Sequence, residues 1–228
     1  MKKMAAESVI QQILGLKGKD PQFFGRYLLK QDFLEHKIPA NERAGLIKKA
    51  LDCGRAAAQT FQVDYQSIPQ YLEEQQIAIH YFEEVSAVTK KDYTLARITL
   101  PDQVFLNRSL IDAGEAWIKA ETRLHFVTEQ TSIETILIAH ELYHSIETCK
   151  KLYTTQKHLT YRVGPFKKHA RLHSLSEIAA TAFVQELYGL VFSPLLLNPV
   201  LIYPVDPPFG TEILQQFFAE DVSRKPMD

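Results

Sequence analysis

The chain has 228 residues, 46% of them hydrophobic, and a formal net charge of −1. That length buries a sizeable core and suits one large domain, or one domain with a small attachment, and the near-balance of charge excludes whole-molecule attraction to nucleic acid or a membrane surface. Two cysteines, Cys53 and Cys149, exclude a disulfide framework, and the longest apolar runs are broken by proline or charge before they reach a membrane span.

The opening MKKMAAESVIQQILG starts basic, but Glu7 and the pair Gln11–Gln12 interrupt any apolar signal core. No signal peptide is expected, and the setting reads as reducing and cytoplasmic. Residues 1–62 read as a helical N-terminal region. Val9, Ile10, Ile13 and Leu14 recur at helical spacing up to Gly15 and Gly18. Asp20-Pro21 is an N-cap followed by proline at the first helical position, opening QFFGRYLLKQDFL. Asn41 is placed to cap a third helix running through Leu46, Ile47, Ala50, Leu51, Gly54 and Ala58. This region holds 11 Lys+Arg against 6 Asp+Glu, and the remainder 15 against 21.

From residue 63 the period changes. QIAIHYFEE (76–84) and YTLARITLPDQVFLN (93–107) are rich in β-branched and aromatic residues and predict strands. SLIDAGEAWIKAETR (109–123) returns to helix, followed by a helix over TSIETILIAHELYHSIET (131–148), with Thr131 and Glu134 spelling a capping box. Residues 154–173 read as loop, SEIAATAFVQELYGLVF as helix, 194–210 with its five prolines as extended loop, and TEILQQFFAED as a closing helix. Helices, then short strands, then helices predict an α+β fold, with residues 63–228 as its second region.

The chemistry lies in HELYH. On a helix, His140 and His144 stand about 40° apart and one turn along the axis, so both imidazoles reach one ion. Glu141 stands about 60° from His144, where its carboxylate reaches a water without ligating the metal. That division of labour belongs to zinc hydrolases: the ion lowers its water's pKa to about 7 and the carboxylate takes the proton. The alternative is two satisfied histidines on a core helix. Zinc needs a third protein ligand. Cys149 is about 180° round the helix from His140. Glu147 is on the right face but a turn away, and suits a supporting carboxylate better than a ligand. Glu177 opens a helix whose Ala179, Ala180 and Ala182 permit close approach to the first. Thr181, one turn on, is placed to orient a ligand histidine or Glu177. Ser174 and Glu177 also spell a capping box, so Glu177 either ligates the ion or caps its own helix.

HELYH followed by EIAATAFVQEL resembles the ImmA/IrrE-type zinc metallopeptidases, whose pattern is HExxH and then a helix of the kind E-x-x-A-N-x-F-A-x-E-L-L. Glu177, Ala180, Phe183, Glu186 and Leu187 are the matching positions. Upstream, ITLPDQVFLN (98–107) is similar to the family's strand that ends in Asn before the metal helix. The resemblance spans roughly residues 55–190. It implies a minimal zincin-like fold with a small antiparallel or mixed sheet, His140, His144 and Glu177 as zinc ligands, and Glu141 as general base. It also implies a protein or peptide substrate, which in related proteins is often a transcriptional regulator. Here Tyr143 stands where Gly is common, Thr181 replaces Asn, Val184 replaces a small residue, and the helix at 109–123 is extra.

Hydrolysis also needs a group facing the developing oxyanion. The basic segment 158–173 offers His158, Tyr161, Arg162, His169, Arg171 and His173, of which Tyr161 and His173 are favoured. The strand ending at Asn107 either aligns an extended peptide along its edge or pairs inside the sheet. His80 reads as a polar-face strand residue. The expected function is a zinc-dependent peptidase. Its alternative is a catalytically silent regulatory protein on the same scaffold, with possible DNA contact through residues 1–62. No recognition-helix spelling stands out there, so nucleic acid is not the expected partner.

Overall fold

The structure, a computed structural model, describes residues 2–83 and 93–222. It is an α+β fold. Four helices come first, α1 (Lys2–Lys17), α2 (Pro21–Gln31), α3 (Ala40–Asp64) and α4 (Ile68–Glu74). Strands β1 (Ala78–Phe82), β2 (Ala96–Thr99) and β3 (Gln103–Asn107) lead into α5 (Arg108–Ala120) and α6 (Ile133–Cys149). After these come α7 (Tyr153–Gln156), β4 (His158–Val163), β5 (Phe166–Arg171), α8 (His173–Tyr188), α9 (Leu197–Ile202) and α10 (Pro207–Val222). No helix among the described residues is long and apolar enough to cross a membrane.

Local chemistry accounts for many of the boundaries. Asp20 caps α2 by accepting from the Gln22 N–H at 2.7 Å. Asn41 does not cap α3, which starts a residue earlier, behind Pro39 and without a side-chain cap. Arg43 secures that turn instead, donating to the Glu35 and Ile38 carbonyls. The helix α6 is capped by Ser132, whose hydroxyl accepts from the Thr135 N–H at 3.1 Å. With Ser132 rather than Thr131 as the cap, Glu134 falls at the second helical position instead of the third that a capping box uses, and it pairs with Arg108, 2.7 Å distant.

The segment 93–107 is two strands rather than one, folded back at Leu100–Asp102. β3 lies in the middle of a mixed sheet of order β1-β3-β2, parallel to β1 and antiparallel to β2. The strand ending at Asn107 therefore pairs on both sides, and the sheet's edges are those of β1 and β2. Asn107 itself caps α5 through the Leu110 N–H and donates to the Thr94 carbonyl. The predicted strand 76–84 spans 78–82, and its last residue, Glu84, lies outside the described residues.

Two expected loops are structured. Residues 154–173 form α7 and the β4–β5 hairpin, turned at Gly164 with φ +58°, a left-handed value that suits glycine in a tight hairpin turn. Residues 194–210 form a 3₁₀ turn (Pro194–Leu196), α9 and the start of α10. Pro194, Pro199 and Pro207 all stand in first turns, where a missing N–H removes no intrahelical bond.

Two apolar cores result. The larger joins the sheet to α1, α5, α6 and the C-terminal helices, and the smaller lies between α2, α3, α8 and the β4–β5 hairpin. At the α3–α8 crossing, Gly54 faces backbone, and a Cβ there would sit 2.0 Å from the Ala179 carbonyl oxygen. Gly54→Ala gains up to about 1 kcal/mol in helix propensity. It must also push two helices apart, an overpacking cost of about 1–3 kcal/mol that a rigid carbonyl places at the upper end. The expected result is a net loss of about 2 kcal/mol, read as a lower urea midpoint at unchanged slope. A midpoint at or above wild type would show that the crossing is loose.

Candidate metal centre

A cleft of about 550 Å³ runs between β2, α6 and α8. The helix α6 is anchored by fully buried Ile133, Ala139 and Leu142, which leaves the adjacent face, carrying His140 and His144, to line the cleft. α8 delivers Glu177 from the opposite wall. Its N-terminus is held by Asp32, the residue closing α2, whose carboxylate accepts from the Ser174 N–H at 3.0 Å. With α8 capped by another helix's aspartate, Glu177 has no capping duty and turns to the histidines.

The Nε2 of His140 lies 3.1 Å from Glu177 Oε2, and the Nε2 of His144 lies 3.4 Å from Oε1. Each of the three residues offers one donor atom, all within 4.8 Å of one another. Tetrahedral zinc with ligands at about 2.0–2.1 Å sets its donors roughly 3.3 Å apart, so the donor types and their spacing fit such an ion. This is the metal-competent group of His, Cys, Asp and Glu found among the described residues.

Electrostatics follow from crowding these groups together. Burial alone would raise the Glu177 pKa, but the His140 hydrogen bond and the charges of His140, His144 and His173 outweigh it and bring it down to about 2. Burial opposes charge on His140, yet Glu177, Glu141 and Glu147 prevail and its pKa rises. Burial dominates at Glu141 and pushes its carboxyl upward, against the pull of both histidines and the Ile98 N–H. Glu141 thus stands beside the ligands, turned toward β2.

Glu147 supports His144 from behind. It is 3% exposed, and Oε1 lies 3.2 Å from His144 Nδ1. The Ser176 hydroxyl donates to the same oxygen, and the Thr154 hydroxyl to the other. These bonds outweigh the burial penalty and lower the Glu147 pKa. A carboxylate on Nδ1 fixes the ring so that Nε2 faces Glu177. Thr154 also meets the Tyr143 hydroxyl at 3.3 Å, and Tyr143 is fully buried as packing.

The remaining candidates separate. His173 is exposed and lines the cleft. Tyr161 does not: its ring packs on the smaller core and lines an adjoining recess shared with Arg171 and His173. The alternation of β4 sets it there. Arg171, at the end of β5, reaches the cleft, with Nη2 3.9 Å from Glu147 Oε1. His158 and His169 bond to Gln156 and Thr160 instead. The Thr181 hydroxyl donates to the Glu177 carbonyl within its own helix at 2.9 Å, so it orients no histidine. His80 stacks on Phe105 at 5.0 Å. Sequence reasoning did not reach Ser176 and Thr154, whose role arises only where α6, α7 and α8 meet. Comparison of the chain with protein-family models, curated proteins and solved structures found no match.

Proposed function

We propose that the protein is a zinc-dependent peptidase of zincin-like, ImmA/IrrE-related type that cleaves a protein or peptide substrate. The observation that carries this reading is the convergence of His140, His144 and Glu177 on one point, with Glu141 beside them and outside the ligand set. His140, His144 and Glu177 would hold the ion, which when bound supplies Lewis acidity toward water and carbonyl oxygen. Glu147 and Ser176 keep the His144 ring aligned. Glu141 takes a proton from the attacking water and passes it to the leaving amine. Among the described residues no strand pairs with the outer edge of β2, which offers backbone groups to an extended substrate. Arg171 and His173 line the same cleft and present donors to the developing negative charge.

A fourth protein ligand closing the site would favour a silent scaffold. Glu147 is the nearest candidate, but its oxygens are taken by His144, Ser176 and Thr154, which favours the hydrolytic reading. The direct test is a quenched-fluorescence peptide library offered to zinc-loaded protein. Cleavage abolished by a chelator and restored by zinc is expected. Cleavage indifferent to the chelator, or none of any library member, would overturn the proposal.

A further inference from the structure

On the far side of α6 from the metal group's cleft, α3, α4 and the C-terminal end of α6 enclose a second cavity of about 460 Å³. Small-molecule sites run from about 300 to 1,000 Å³. One wall is aromatic: Phe61 packs against Tyr65 and Tyr71 with ring centroids 5.1 and 5.3 Å apart. Cys53 and Tyr153 also line the cavity. The Tyr153 hydroxyl is buried and has no hydrogen-bond partner among the described residues. Its oxygen is out of reach of solvent and its ring packs on the smaller core, so Tyr153 bounds the cavity without its hydroxyl reaching into it.

The charged lining groups are biased toward the cationic. Asp52 is already engaged by Lys48 at 2.6 Å and Arg55 at 3.4 Å. Lys150 is paired with Asp64 at 2.9 Å. Lys49 has no ion-pair partner among the described residues.

We propose that this cavity is a binding site for a small organic anion with an aromatic or similarly apolar body. The body lies against Phe61, Tyr65 and Tyr71, and Lys49, at the rim, faces the charge. The site stands apart from the metal group and does not depend on the peptidase reading.

The test uses anilinonaphthalene sulfonate as probe and uncharged phenylnaphthylamine as its neutral counterpart, titrated into the folded full-length chain. Saturable binding of one sulfonate per chain is expected, several-fold tighter than the neutral probe at low salt. Bound probe should slow alkylation of Cys53 by N-ethylmaleimide, followed by mass spectrometry. Ala56→Trp, at an exposed position of α3 that lines the cavity, should fill the space and abolish both effects while the melting curve stays cooperative. Lys49→Glu should remove the preference for the charged probe. Non-saturable binding, or binding and Cys53 protection unchanged in a folded Ala56→Trp, would overturn the site. Equal affinity for the two probes in wild type would overturn its anionic character.

Discussion

Glu141→Gln is expected to retain the protein's zinc and to lower peptide turnover by about 10²–10⁴-fold. Glu141 shares a helix with both histidines, yet it is not among the three converging donors. An amide has the carboxylate's shape and cannot accept the proton. Folding should not suffer, because Glu141 is 9% exposed and burial disfavours its charge; removing that charge relieves a desolvation cost. Zinc by elemental analysis and turnover on a cleaved library peptide make the comparison. Wild-type turnover in the variant would remove Glu141 as the base, and loss of zinc would make it a ligand instead.

Glu177→Ala should take the metal away. Wild type is expected to carry about one zinc per chain, and the variant to bind it more than 10²-fold less tightly, since the third protein ligand is gone. Glu147→Gln is the informative contrast. It leaves all three ligands but weakens the carboxylate behind His144, an effect of about 10–100-fold on affinity. The ordering of the three proteins under chelator competition therefore separates ligand from support. Equal affinity of wild type and Glu177→Ala would remove that residue from the ligand set. A Glu147→Gln variant weaker than Glu177→Ala would exchange their assignments.

What the sequence made legible were features written locally. The spacing of His140 and His144, the Asp20-Pro21 start and the alanine-rich run of α8 each depend on neighbours within a turn or two. The β4–β5 hairpin is hard to read because, although HLTYRV alternates polar and apolar residues, its partner FKKHAR does not, and both strands are mostly exposed. The proline-rich stretch misled for a different reason: proline forbids helix interiors but not first turns. The cap of α8 could not be read because its deciding partner, Asp32, comes from another element, whereas that of α6 is local, one residue beyond Thr131. Tyr161 and His173 looked equivalent in sequence, and strand geometry parted them. The Glu147–Ser176–Thr154 cluster joins three helices and has no sequence pattern at all.

The α3–α8 crossing has a further bearing on how such a chain can diversify. Gly54 lies against Ala179, two residues beyond Glu177, and Asp32 holds the start of the same helix. The N-terminal helices thus form part of the wall that fixes Glu177. An exchange of residues 1–62 for another sequence would have to bring a glycine and an acidic residue to these two places to keep Glu177 facing the two histidines. The opposite border of the cleft, on β2, is freer to vary, because a change at Arg97 alters what the cleft meets without disturbing that wall.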